Sequence, residues 1–145
     1  MNFMEIATLL AFKAEKKEEI PVGAVIVKGN KIIAKAKNTR EKSQVATHHA
    51  ELLAIEKACK KLKSWRLDDC DLYVTLEPCP MCMGAIMNAR NKNLHFAVKD
   101  EANGGISKFN ITQCMNHSIN HFFENEFEEV NKNLIKTFFA SRRKK

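Results

Sequence analysis

The stretch DLYVTLEPCPMCMGAIMN, Asp71 to Asn88, carries the chain from a strand into a helix. Asp71 to Thr75 is a short β-type run. Leu76-Glu77-Pro78 then leads into a helix over Cys79 to Asn88, whose entrance proline favours. Cys79 and Cys82 stand three positions apart, on one helical turn, so both sulfurs face the same way and can grip one metal ion. A helix start also favours negative charge, which helps to keep thiols ionised. The same spacing serves a thioredoxin-like dithiol pair, and two buried structural cysteines fit it as well.

Upstream, His49-Ala50-Glu51 shifts the balance towards metal. It opens a helix running to about Leu62, on which Leu52, Leu53, Ile55, Glu56, Ala58 and Cys59 fit one buried face. One nitrogen from His49 and two sulfurs from Cys79 and Cys82 make a three-ligand zinc site. Structural zinc sites usually close all four tetrahedral positions; an open one admits water and points to catalysis. Glu51 is then the nearby base that accepts the proton of that water and returns it to the substrate. Backbone N–H groups near Ala50 and Cys79 are candidates for steadying the attacking oxygen. His48 adjoins the ligand, but only His49 gives the H-x-E spacing. H-x-E followed by P-C-x-x-C is the signature of zinc deaminases of cytosine and adenine. An H-x-E alone is weak; the two halves together are strong.

The rest of the chain supplies a frame for these residues. Phe3, Ile6, Ala7, Leu10, Ala11 and Ala14 recur at helical spacing, and Ile20-Pro21 ends that helix. Val22 to Lys28 and Lys31 to Lys37 read as two strands joined across Gly29-Asn30, a tight-turn pair. Leu94 to Val98 is a further strand, Asp100 to Asn110 with Gly104-Gly105 a loop, and Ile119 to Phe122 a last β segment. A closing helix runs from about Asn125 into the tail, burying Phe127, Val130, Leu134, Ile135, Phe138 and Phe139. Strands alternating with helices predict a three-layer α/β fold around a mixed sheet. With 145 residues and no linker or repeat, one domain over 1–145 is expected.

Composition narrows the partners. Five cysteines, an odd count, disfavour a fully paired disulfide framework. The apolar runs are too short to span a bilayer. The N-terminus lacks the basic and apolar regions of a secretory signal, so a cytoplasmic protein is expected. The formal charge is +7, and Arg142, Arg143, Lys144 and Lys145 supply four of those units. Such a tail suits a polyanion, since phosphate neutralisation supplies much of nucleic-acid affinity; it serves equally as a solubilising end.

The chain resembles the bacterial tRNA-specific adenosine deaminases of the cytidine deaminase superfamily. The likeness runs through Pro21-Val22-Gly23-Ala24-Val25-Ile26-Val27, Asn38, His49-Ala50-Glu51 and Leu72 to Cys82. It continues at Gly84-Ala85, Asp100, Met115-Asn116-His117 and Phe138-Phe139 with the arginines that follow. The resemblance implies a three-layer α/β/α cytidine-deaminase-like fold with a central mixed five-stranded sheet. It also implies one zinc ion per subunit, a homodimer, and hydrolytic conversion of the wobble adenosine to inosine in a tRNA anticodon stem-loop. Asn38 and Ala50 would then contact the nucleoside, and Asp100 would lie beside the RNA near the flipped base. Two segments depart from the family pattern. Val45-Ala46-Thr47-His48 replaces an Asp-Pro-Thr-Ala run, and Ala102-Asn103 stands where a basic residue and a threonine are common. Two other readings fit the same residues: a guanine or other free-base deaminase, and a non-catalytic zinc-stabilised RNA-binding module, which leaves Glu51 without a task.

Overall fold

The computed structural model describes residues 2–114 and 117–143, with side chains for all of these except Arg143. Helix α1 (Phe3–Lys16) starts at Asn2, whose side chain accepts the Glu5 N–H, and buries Met4, Ala7, Ala11 and Ala14 along one stripe. Strands β1 (Gly23–Lys28) and β2 (Lys31–Lys37) form an antiparallel hairpin. Its turn places Gly29 and Asn30 both at positive φ, the geometry that matches the twist of flanking strands. Short helix α2 (Arg40–Ser43), α3 (Ala50–Leu62), β3 (Cys70–Val74), α4 (Pro80–Asn88) and β4 (Asn93–Phe96) follow. A 3-10 turn (Ile111–Gln113), β5 (Asn120–Phe123) and α5 (Glu128–Arg143) complete the order.

The five strands lie in the order β2-β1-β3-β4-β5. β1 is antiparallel to both of its neighbours, while β3, β4 and β5 run parallel, so the sheet is mixed. Alternation along the strands divides the core between two faces. Ala24, Ile26, Leu72, Val74, Leu94 and Phe96 pack with Ala50, Ala54 and Ala58 of α3 and with Met83, Ile86 and Met87 of α4. Val25, Val27 and Ala97 pack with Met4 and Ala7 of α1 on the other face. There α5 is tied to α1 by a fully buried bond from Asn131 Nδ2 to Thr8 Oγ1 of 3.0 Å. The result is the expected α/β/α arrangement, since helices flank both faces.

Gly23 shows how tightly α1 lies on β1. A Cβ there would stand 2.0 Å from the Ala7 carbonyl oxygen and 2.8 Å from Leu10 Cβ. Gly23→Ala is therefore expected to destabilise the protein by about 1–3 kcal/mol, the usual cost of overpacking, read as a lower urea midpoint at unchanged slope.

Several boundaries and faces differ from the sequence expectation. β4 ends at Phe96; Ala97 and Val98 are buried but leave the ladder as the chain turns towards Asp100. β5 spans Asn120–Phe123 and all four of its residues are exposed. It is held at the edge by Asn120 Nδ2 to Asn93 Oδ1 at 3.1 Å and by His95, whose ring stacks on Phe122 and contacts Glu124 at 3.2 Å. On α3, Leu52, Leu53, Ile55 and Cys59 are half-buried and Glu56 is exposed; the fully buried stripe is Ala50, Glu51, Ala54 and Ala58. On α5, Val130 and Phe139 are exposed rather than buried. The inward stripe runs Phe127, Asn131, Leu134, Phe138 at helical spacing, and Val130 and Phe139 each lie one residue off it.

Helix α2 was not expected from the sequence. It exists because the buried Glu19 carboxylate accepts the Glu41 and Lys42 N–H groups at 2.9 and 2.8 Å, and Asn38 Oδ1 accepts that of Arg40 at 3.1 Å. Among the described residues, no helix is long and apolar enough to cross a membrane.

Candidate active site and metal centre

The sheet brings four chain ends to one edge. Gly23 pairs with Lys37, and Ala24 with Val74, which in turn pairs with Phe96. The residues just beyond this row, Val22, Asn38, Leu76 and Asp100, therefore converge where the parallel strands end, the usual place for a site in an open α/β sheet. They line a cavity of about 120 Å³ with Ile20, Arg40, His49, Ala50, Glu51, Glu77 and Cys79. Pockets for drug-sized ligands run to roughly 300–1,000 Å³, so this one has room for a single small ring system. A larger cavity of about 720 Å³, lined by Phe3, Tyr73, Phe123 and Glu124 among others, contains none of these groups.

Two helices point their N-termini into the cavity. His49 is the N-cap of α3 and Cys79 the N-cap of α4, with Pro80 in the first turn. His49 Nδ1 lies 3.8 Å from Cys79 Sγ and 3.5 Å from Cys82 Sγ. The three ligand atoms all lie within 4.8 Å of one another. A tetrahedral ion with bonds of about 2.3 Å to sulfur and 2.0–2.1 Å to nitrogen needs nitrogen–sulfur edges of about 3.6 Å. The triplet fits such an ion. His48, by contrast, turns away and meets Ser43 Oγ at 2.7 Å.

The electrostatics suit cation binding. Bonds from Cys82 and His49 bring Cys79 down to about 4, against the desolvation of a half-buried sulfur. Cys82 is raised, chiefly by the bond to Cys79 and by its burial. His49 is raised as well, first by its bond to Cys79. A half-buried thiol held this far down beside a raised one is a donor set suited to a divalent cation. Glu51 is 4% exposed, and burial pushes its carboxyl up to about 7. It lies in the first turn of α3, whose N-cap is His49, and lines the cavity with His49 and Cys79, which places it beside the ligand triplet.

The remaining expected residues also line the cavity. Ala50 is fully buried as the first residue of α3. Asn38 is 5% exposed and lines the cavity while its amide holds the turn into α2. Asp100 lines it too, and its Oδ1 accepts the Asn103 N–H at 3.0 Å. Asn38 and Asp100 are thus each both a turn residue and a wall residue. Of Met115-Asn116-His117, the first two lie outside the described residues, as do Lys144 and Lys145 of the tail. Cys70 is buried at the start of β3, Cys59 half-buried, and Cys114 exposed.

Sequence reasoning missed Arg40 and Glu77. It also missed a second cavity of about 200 Å³ that shares Ile20, Asn38 and Arg40 with the first and adds Glu19, Glu41, Phe138, Phe139 and Arg142. The signal for Glu77 was an acid in the apolar turn Leu76-Glu77-Pro78. The second cavity had no local signal, because α2 and α5 meet there from distant parts of the chain.

A cation site open to a small cavity, with a carboxyl beside it that titrates near neutrality, is equipped to replace an amine on a ring by water. The class is that of the metal-dependent deaminases. The MafB19-like deaminase model matches residues 1–143. The tRNA-specific adenosine deaminase of Bacillus subtilis (strain 168) is 42% identical over 146 residues, 99% of this chain and 90% of that protein. The protein of the same name from Aquifex aeolicus (strain VF5) is 44% identical over 120 residues, 81% of this chain and 80% of that one. A solved structure from a study of A-to-I editing by tRNA:A34 deaminases matches with a TM-score of 0.88 at 34% identity, covering 91% of this chain and 97% of the other. A guanine deaminase structure from Bacillus subtilis matches at 35% identity with a TM-score of 0.67, covering 99% and 95%. The chain belongs to the MafB19-like deaminase family, among the relatives of the tRNA-specific adenosine deaminases.

Proposed function

We propose that this protein hydrolyses the wobble adenosine of a tRNA anticodon stem-loop to inosine, with one zinc ion per subunit held by His49, Cys79 and Cys82. The observation that carries the proposal is the ligand triplet at tetrahedral spacing with buried Glu51 beside it. His49, Cys79 and Cys82 would hold the ion, which would make a water acidic enough to supply hydroxide near neutral pH. Glu51 does the proton work. It takes a proton from the attacking water and places it on N1 of adenine, then takes the proton of the new C6 hydroxyl and delivers it to the amino group, which leaves as ammonia while C6 becomes a carbonyl. A carboxyl poised near neutrality suits both directions of transfer. Asn38 offers an amide to the nucleoside edge, the backbone at Ala50 borders the reacting carbon, and Asp100 lies at the strand's exit.

The second cavity favours a polynucleotide over a free base. Arg142 lies 4.7 Å from the Phe138 ring centroid, and Phe139, 42% exposed, meets Phe138 edge-on. With Arg40 these groups offer guanidinium charge and aromatic faces beside the catalytic cavity, the combination used for splayed single-stranded RNA. A loop base also leaves its stack at low cost. Acting on tRNA, the enzyme works in the cytoplasm. The guanine deaminase likeness supports a second reading, in which a free base fills the small cavity alone. Incubation with free guanine and with a stem-loop separates the two, because ammonia from guanine only would overturn the tRNA proposal. RNA binding without any turnover would mark a non-catalytic zinc module instead.

A homodimer is part of the proposal. Met81, Gly84, Ala85 and Asn88 share one outward face of α4, and a Cβ on Gly84 would meet nothing within 4 Å. Small residues on such a face let a second helix approach closely. Gly84→Arg is expected to convert a dimer to a monomer in sedimentation velocity without loss of fold.

A further inference from the structure

Glu77 sits between β3 and α4, 2% exposed, two residues before Cys79. Its carboxylate is the hub of the loop after β4. Oε1 accepts the Asp100 N–H at 3.1 Å and the Ser107 hydroxyl at 2.5 Å. Oε2 accepts the N–H groups of Ile106 at 3.0 Å and Ser107 at 2.8 Å. The glycine pair is cut to this arrangement. A Cβ on Gly104 would stand 1.9 Å from Glu77 Oε2, and one on Gly105 would stand 2.4 Å from Met83 Cγ. The Gly105 N–H bonds to the Pro78 carbonyl at 2.8 Å, closing the loop onto the segment that carries Cys79.

Four donors thus occupy the two oxygens of this carboxylate, all of them from the loop after β4. We propose that Glu77 is a positioning residue, whose carboxylate pins Asp100 and the 100–107 loop as a preformed wall of the cavity and so sets how tightly the RNA strand is held. The inference rests on the tRNA reading above. An ordered wall spares the entropy of ordering that loop when substrate binds. Its loss therefore weakens binding more than the chemical step.

Replacement by glutamine is informative because of donor counting. An amide offers one acceptor oxygen and one donor nitrogen. With the oxygen at the Oε2 position, Ile106 and Ser107 keep their N–H bonds, and the Ser107 hydroxyl turns to accept from the amide. The Asp100 N–H alone then faces a donor. Flipping the amide would forfeit two backbone bonds, so the first orientation prevails. Glu77→Gln thus frees Asp100 selectively.

The test combines steady-state kinetics on an anticodon stem-loop with amide hydrogen exchange. Glu77→Gln is expected to raise KM about tenfold while kcat stays within about threefold, a split that marks lost binding. Zinc content should be unchanged, and exchange should accelerate at the Asp100 amide more than at Ile106 or Ser107. Ser107→Ala, at an exposed position, removes only the hydroxyl donor to Oε1. It should raise KM about twofold with a weaker form of the same Asp100 signature, and it keeps the test decisive if Glu77→Gln does not fold. A fall in kcat at unchanged KM, or faster exchange spread evenly over the protein, would overturn the assignment. Failure of the wild-type protein to form inosine would sink the substrate proposal instead, and the exchange pattern would still decide what Glu77 holds.

Discussion

Glu51→Gln is expected to abolish inosine formation while one zinc ion per subunit remains bound. The substitution keeps the shape of a side chain that is 4% exposed and removes its capacity to accept a proton. Burial has already brought the acid to about 7, where it can take and return a proton within one turnover; an amide does neither. Loss of a positioned general acid–base group costs about 10²–10⁴-fold, and here one group carries both protons of the reaction, so kcat should fall towards the upper end. KM for the stem-loop should change little, because recognition rests on other residues. Metal analysis and single-turnover inosine measurement on the same preparation provide the check. Substantial turnover in the variant would remove Glu51 from the proton path.

Cys82→Ala should have the opposite signature, with metal and activity lost together. Cys82 is fully buried, and its sulfur stands 3.5 Å from His49 Nδ1, so no water or neighbouring side chain replaces it without repacking. Two remaining ligands hold zinc weakly at neutral pH. Because an ion that binds the folded chain stabilises it by linkage, the melting temperature should drop as well. Chelation of the wild-type protein should reproduce both effects, and added zinc should reverse them in the wild type but not in the variant. Retention of stoichiometric zinc by Cys82→Ala would mean that the three-ligand assignment is wrong.

What was legible in the chain follows the range of the interactions involved. The candidate ligand set was readable because Cys79 and Cys82 share one helical turn, and His49 and Glu51 stand together at the start of another. The hairpin was readable from Gly29-Asn30, which the structure places at positive φ. Asn38 and Asp100 came from resemblance, since a turn residue and a wall residue look alike in a single sequence. Glu77 escaped notice because its donors lie 23 to 30 positions downstream. Helix α2 escaped because its cap, Glu19, lies 22 and 23 positions upstream of the N–H groups it accepts. The inward face of α5 was drawn too wide, since six apolar residues were assigned to a stripe that holds four positions, one of them Asn131.

One measurement separates the proposed activity from its rivals: the zinc-loaded protein incubated with an anticodon stem-loop that carries one adenosine at the wobble position and others in the paired stem, then read by position as inosine. The expected result is stoichiometric conversion of the wobble adenosine alone, lost on chelation and in Glu51→Gln. Absence of inosine at that position, with ammonia released from free guanine under the same conditions, would contradict it.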